Sequence, residues 1–415
     1  MEYKKIKLKE VCTVNQGLQI PISKRFKENG PNRYFYITIQ FLKGNTDEYY
    51  IENPKKSVIC KKEDILVVRT GNTGMVLTGV EGCFHNNFFK VVPNEKIYSK
   101  YLYYALNNKY MYKEMLNAAS GTTIPDLKHS AFYNLEIPLP EISEQHKIVK
   151  ILENIDKKIG LNNKINDNLQ NLINNMYTKY FVNFNTYNGG YKETALGMIP
   201  ETFNIDTLGN IVSFSNGYGW NSKDMMDSYI DNSYKVFKMG NINIGGGINK
   251  SKTRSWILKD KVVNLEQYVS KRGDILMCMT DMKNSGNPLL GHTALIDKNG
   301  EFVINQRVGI LRCDKKIGYS YIYTMSNMPY FINEIRSRAN SGVQVNLTTK
   351  GICDTLVLIP DNNTLSEFEN VAIPLYEQIF NNNNENESLE KLRDTLLPKL
   401  MNGEIDLEKI NLEEI

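Results

Sequence analysis

From Glu144 to Phe181 the apolar positions of the chain recur at alternating steps of four and three. Ile148, Leu152, Ile155 and Ile159 open the series, Leu169, Ile173, Met176 and Tyr180 close it, and Asn162 and Asn166 stand between them. A repeat of 3.5 residues predicts a helix that wraps against a second one as a coiled coil. At 1.5 Å per residue it is about 57 Å long, a spacer as much as a core. Buried asparagines cost stability and satisfy one another in one alignment, so the interruption predicts a polar layer that selects register.

The chain also repeats itself, at an offset that grows from about 200 to about 220 residues. "LKEVCTVNQG", ending at Gly17, matches "LGNIVSFSNG", ending at Gly217, and "KKEDILVVRT" matches "KRGDILMCMT". "YLYYALNN" from Tyr101 matches "YIYTMSNM" from Tyr321, and "SGTTIPDL" from Ser120 matches "SGVQVNLT" from Ser341. The helix repeats too: Phe368, Ala372, Leu375, Ile379, Asn382, Asn386, Leu389, Arg393, Leu396 and Leu400 carry the same spacing and the same pair of asparagines. An antiparallel pairing sets Asn162 against Asn386, Asn166 against Asn382 and Arg393 against Ile155. A parallel pairing also aligns the asparagines, but two copies related by an approximate two-fold axis favour the antiparallel one. Pro398 falls just before the last layer, where proline disturbs a helix.

The segments 1–141 and 201–361 hold short β-rich runs broken by Gly and Asn turns, and each has one helical run late in the copy. The expected fold class is α+β: two tandem pseudo-repeated domains, each with a twisted, partly closed sheet and helices, and two long antiparallel coiled-coil helices in 142–182 and 362–415. Residues 183–200 read as a linker.

A length of 415 residues fits two or more domains. The net charge of +4 divides unevenly. Residues 1–141 carry 20 basic against 14 acidic residues, 201–361 carry 19 against 15, and 362–415 carry 4 against 12. Two basic segments suit a polyanion partner, and the acidic tail suits a protein one. Six scattered cysteines without a Cys-x-x-Cys pair read as reduced core thiols. The start "MEYKKIKLKE" lacks the apolar core of a signal peptide and no apolar run is long enough to span a membrane, so a cytoplasmic location is expected.

No metal-ligand spacing, P-loop, or Pro-Pro-aromatic tetrad beside a glycine-rich AdoMet loop is present, and "GGG" at 245–247 reads as a turn. Asp64 and Asp274 read as polar turn residues that open strands, since no Glu-x-Lys follows at nuclease spacing. The pattern points away from an enzyme. Loop residues suited to reading nucleic acid recur instead, because Arg, Lys, Asn and Gln match base edges and Ser and Thr anchor phosphates. The first copy offers Lys24, Arg25, Lys27 and Arg33, then Arg69, Thr70, Asn72 and Thr73, then Ser120, Thr122 and Thr123. The second offers Trp220, Asn221 and Lys223, then Thr280, Lys283 and Asn284 with Asn305, Gln306 and Arg307, then Gln344 and Asn346. A two-domain protein scaffold that binds no DNA explains the repeat and the seam equally well, but not these loops.

"IPLPEISEQHKIVKILENIDKKI" (137–159), "ALGMIPETFNIDTLGNIVSFSNG" (195–217), "RGDILMCMT" (272–280) and "LEKLRDTLLPKLMNGEI" (389–405) give the chain a family likeness. Across nearly its whole length it resembles the specificity subunits of type I restriction-modification enzymes. The resemblance implies two target-recognition domains, 1–141 and 201–361, each reading half of an interrupted site in double-stranded DNA. It also implies that the helices set the gap and dock two modification subunits, and two restriction subunits where the system has them. On this likeness the chain is non-catalytic and binds no cofactor: AdoMet belongs to the modification subunit, ATP and Mg to the restriction subunit. The second copy departs from the pattern, with "IPDNNTLSEFENVAIPL" in place of the Pro-x-x-x-x-Glu-Gln run. Leu161, Ile165 and Leu172, outside the seam, are left to bind other subunits.

Overall fold

The computed structural model describes residues 3–42, 48–121, 124–282, 288–313, 317–340, 342 and 344–409. The chain divides into two compact units, unit 1 from residues 1–162 and 384–415 and unit 2 from 163–383. Each unit contains one sheet-bearing domain and a part of both long helices. The first helix is Ile142–Tyr177, continued by a π-helical turn over Thr178–Val182, and the second is Asn362–Met401. No helix among the described residues is long and apolar enough to cross a membrane.

Most strands of each unit form two four-stranded sheets rather than one, with two-stranded pairs beside them. In unit 1 the first sheet runs Cys12–Gln16, Phe88–Pro93, Ile65–Val68, Val76–Leu77, all antiparallel. The second runs Tyr50–Glu52, Arg33–Ile37, Gly82–Phe84, Ile59–Cys60, with Arg33–Ile37 and Gly82–Phe84 parallel. Unit 2 repeats the plan. Ser213–Asn216, Val308–Arg312, Ile275–Cys278 and Thr293–Leu295 make the antiparallel sheet, and Ser233–Phe237 lies parallel to Phe302–Ile304 in the other. The strand cores are apolar on both faces, so Ile65–Val68 and Ile275–Cys278 are buried without alternation. Within 183–200, Tyr191–Thr194 and Gly197–Pro200 pair as a hairpin.

The carboxylates of Asp64 and Asp274 hold turns, accepting the backbone N–H of Lys61 (2.9 Å) and Lys271 (2.8 Å). Lys90 and Arg312 neutralise them. Cys12, Cys60, Cys83 and Cys278 are buried thiols. Glycines 245–247 turn the chain with three successive positive φ angles.

The helices are antiparallel within each unit. In unit 1 the Asn162 amide donates to Asn386 Oδ1 (2.9 Å) and Glu385 Oε2 (2.7 Å), and Arg393 reaches Asp156 (2.8 Å) beside Ile155. In unit 2 Asn382 donates to Asn166 (2.8 Å), and Asn166 donates to Asn383 (2.9 Å). Asn162, Asn382 and Asn386 are buried, so each amide replaces the water it loses. The second helix passes through Pro398 to Met401, and Leu400 is buried in the core of unit 1 with Ile148 and Leu152. Gly403, at φ +72°, ends it in the left-handed conformation that glycine adopts freely.

Two motifs gain a structural reason. Gln145 is fully buried, donating to Pro140 O (2.9 Å) and accepting from Tyr98 N (2.7 Å), so it ties the start of the first helix to the domain. Leu365 stands at the matching place in the second copy, buried among apolar neighbours, and Asp361 caps the helix through Thr364 N (2.9 Å). In unit 2 the expected Ile173, Phe368 and Ala372 are fully buried, but further along Tyr177, Phe181, Tyr376 and Phe380 are buried, each one place beyond the expected Met176, Tyr180, Leu375 and Ile379, which are partly buried. There the helices pack on Phe203 and Tyr321 as well as on each other, and an ideal helix drifts from a strict 3.5 repeat.

Replacing Asn162 with Leu removes the donor to the buried Asn386 Oδ1 and to Glu385, and should cost about 1–3 kcal/mol in chemical denaturation. The double change Asn162→Leu with Asn386→Leu should recover most of that loss. Equal stability of the single variant and the native chain would show that the layer does not select register.

Candidate nucleic-acid interface

In each unit one turn joins the two sheets, and a glycine lies against it. In unit 1 the turn is His85–Asn87, between Gly82–Phe84 and Phe88–Pro93. Gly17 N donates to Phe88 O (3.1 Å) and Leu18 N to Phe84 O (3.0 Å), so the chain leaving Cys12–Gln16 straddles the turn. His85 N bonds Ile37 O (3.0 Å), Phe88 N bonds His85 O (2.9 Å), Arg69 N bonds Asn87 O (2.7 Å) and Leu127 N bonds Arg69 O (3.1 Å).

Unit 2 repeats every one of these bonds around Asn305–Arg307. Gly217 N donates to Val308 O (2.9 Å), Tyr218 N to Ile304 O (2.9 Å), Asn305 N to Phe237 O (3.0 Å) and Val308 N to Asn305 O (2.9 Å). Met279 N donates to Arg307 O (3.1 Å) and Leu347 N to Met279 O (2.9 Å). A Cβ on Gly17 would lie 2.2 Å from His85 O, and one on Gly217 2.3 Å from Asn305 O. No other residue fits. The junction therefore gathers the loop after the first strand, the sheet-to-sheet turn, and the segments around 69–73 with 120–127 or 279–282 with 344–347.

Most of the expected cations in unit 1 are engaged. Arg69 forms a two-point pair with Asp126 (2.5 and 2.9 Å) and reaches Gln16 Oε1 (3.4 Å). The bonds from Arg69 hold the Asp126 carboxyl below its ordinary pKa. Arg25 bonds Ile20 O twice (2.9 and 2.8 Å) and covers the Tyr36 ring. Arg33 covers Phe26 and pairs with Glu52 (3.3 Å). Thr73 is buried, donating to Pro125 O (2.6 Å), whereas Thr70 and Ser120 bridge Asp126 and Asn72 is exposed. Lys24 and Lys27 are exposed, with no ion pair to a described residue.

In unit 2 Trp220 is buried, its indole N–H on Ile304 O (2.9 Å), and so supports the turn from behind. Thr280 is also buried and donates to Asn346 (2.8 Å) on the strand Gln344–Asn346. Asn221 caps Lys223 N (3.0 Å), and Lys223, Gln306 and Arg307 are exposed. Thr122, Thr123, Lys283 and Asn284 lie outside the described residues.

Gln16, Gln19, His85, Asn86 and Asn87 complete the unit 1 junction and were not among the expected residues. The Asn86 amide donates to Gln19 Oε1 (3.1 Å), and Gln16 Nε2 donates to Asn86 O (2.6 Å). The signal was present: subtracting the repeat offset from Asn305–Arg307 gives His85–Asn87.

A family model described as the type I restriction modification DNA specificity domain matches residues 1–171. The specificity subunit of the type I restriction enzyme MjaVIII of Methanocaldococcus jannaschii is 25% identical over 381 residues, 91% of this chain and 87% of that one. The HindI specificity subunit of Haemophilus influenzae is 22% identical and covers 92% of this chain and 97% of its own. Over about nine-tenths of its length the chain is similar to type I restriction-enzyme specificity subunits. A crystal structure of the type I S subunit from M. genitalium shares the fold over 97% of this chain and 96% of that one, with a TM-score of 0.51 at 18% identity. In this chain the repeated junction recurs in both sheet-bearing domains.

Gly217→Ala should cost about 1–3 kcal/mol, as overpacking against backbone does, while Gly240→Ala, with open space around it, should change little. Thermal melts decide, and equal melting of both variants would remove the close approach as a constraint.

His85 gives the two junctions different pH behaviour. Its Nδ1 accepts from Asn87 N (3.1 Å), the place of Asn305 Oδ1 opposite Arg307 N (3.4 Å). Burial, and then the charge of Arg25, lowers its pKa below the ordinary 6.5. The unfolded chain takes up that proton first, so the contribution is present above pH 6.5 and lost as pH falls through it. His85→Asn should flatten the acid side of the stability curve; an unchanged curve would exclude His85 as its source.

Proposed function

We propose that this chain is the sequence-reading subunit of a type I restriction-modification assembly, with unit 1 reading one half of an interrupted DNA site and unit 2 the other. The observation that carries this reading is the same hydrogen-bonded junction built twice with different polar side chains: a constant frame presents variable donors and acceptors, as readout of base edges requires. The basic excess of 1–141 and 201–361 supplies attraction to phosphates. The long helices set the gap between half-sites and dock modification subunits, two in the full assembly, and restriction subunits where the system has them. The exposed Leu161, Ile165 and Leu172 are apolar side chains available to such partners.

The chain acts in the cytoplasm as a non-catalytic part of the assembly. AdoMet and the methylation of adenine belong to the modification subunit, and ATP and Mg to the restriction subunit. A scaffold without DNA binding would have no use for two basic domains with matched polar turns.

Co-expression with the modification subunit of the same host, followed by single-molecule mapping of methylated adenines, tests the proposal. A bipartite motif should appear only when the chain is present, and exchange of residues 1–141 should alter one half of it. A stable complex that methylates without a motif would contradict it.

A further inference from the structure

The sequence contains ten arginines. Nine of them have their guanidinium groups held. Arg25, Arg33 and Arg69 are occupied as described, and Arg254 donates to Ser251 O (2.7 Å). Arg272 pairs with Glu377, Arg312 with Asp274, Arg338 with Glu334 and Arg393 with Asp156, while Arg336 bonds the carbonyls of Leu290 and Pro288. Arg307 alone has a guanidinium that meets no hydrogen-bonding or ionic partner among the described residues.

It is also exposed at a fixed place. Its carbonyl accepts from Met279 N, its N–H points to Asn305 Oδ1, and the turn that bears it is pressed by Gly217. A planar fork of donors on a rigid backbone, with no internal acceptor, is the arrangement that bonds the O6 and N7 of guanine in a major groove. In unit 1 the matching residue is Asn87, and the turn carries two amides with no cation. An amide of this kind suits the N6 and N7 of adenine. The neighbouring positions change in step. In unit 1 the shorter Asn86 bonds Gln19, and in unit 2 the longer Gln306 places its Oε1 where a side chain on Gly219 would stand, 2.3 Å from that Cβ.

We propose that His85–Asn87 and Asn305–Arg307 are corresponding base-reading turns, and that Arg307 selects a guanine in the half-site of unit 2 where Asn87 selects an adenine in that of unit 1. This rests on the DNA-reading function proposed above.

The test uses the complete chain assembled with its modification subunit and a duplex carrying the mapped site, in competition with duplexes changed at one base pair each. Arg307→Ala should lose discrimination at one G·C pair by roughly 5- to 150-fold and keep it elsewhere. Asn87→Arg should move one position of the other half-site from adenine to guanine. Because Arg307 is exposed, its variant should melt with the native chain, and it decides the question alone if Asn87→Arg does not fold. Equal weakening on every duplex, with a reduced salt slope, would make Arg307 a phosphate contact and overturn the proposal, as would unchanged discrimination. If the native assembly itself failed to prefer the mapped site, the DNA-reading function would fall instead.

Discussion

The two domains depend on a contact between backbones. Where the chain leaves the first strand of the antiparallel sheet, it passes the turn between the sheets so closely that a single methyl group has no room at Gly17 or Gly217. That approach lets the strand bond both ends of the turn, and thereby adds main-chain bonds between two sheets that the turn already joins. Because main-chain groups make most of the junction, the side chains on the turn need not be the same in both copies. They are free to differ, and between the copies they do: His85, Asn86 and Asn87 against Asn305, Gln306 and Arg307. A constant frame with changeable donors is what a protein needs to read unlike half-sites with one fold.

The helices obey a different constraint. Their seam is closed by apolar residues toward each domain and by amides at its centre, where Asn162, Asn166, Asn382 and Asn386 satisfy one another and their neighbours. An apolar centre would bind more strongly but would tolerate a shift of one heptad. Arg393 follows the same logic, since its charge at a seam position is met by Asp156, which also accepts from Tyr104 (2.6 Å). Polar groups inside the seam thus fix alignment because their partners on the facing helix are within reach in this register.

The helices, their asparagines and the internal repeat were legible because each rests on periodicity, which survives without knowledge of tertiary contacts. The exact buried stripe in unit 2 was not, since Tyr321 packs on Tyr177 and Phe181, and Tyr323 on Tyr376, from outside the seam pattern. Nor did the sequence distinguish free cations from engaged ones. Arg69 reads as a loop arginine until Asp126, far along the chain, arrives beside it, and Trp220 reads as a loop residue suited to nucleic acid until its indole is seen on Ile304 O. The turn His85–Asn87 was not among the expected residues, and its correspondence with Asn305–Arg307 gives it weight.

The most direct test of the account is an electron cryo-microscopy structure of the chain assembled with its modification subunits on a duplex bearing the mapped site. The account predicts that both turns, His85–Asn87 and Asn305–Arg307, enter DNA grooves with their side chains on base edges, one in each half-site. Turns that face a protein subunit or solvent, with base contacts made from other parts of the two units, would contradict it.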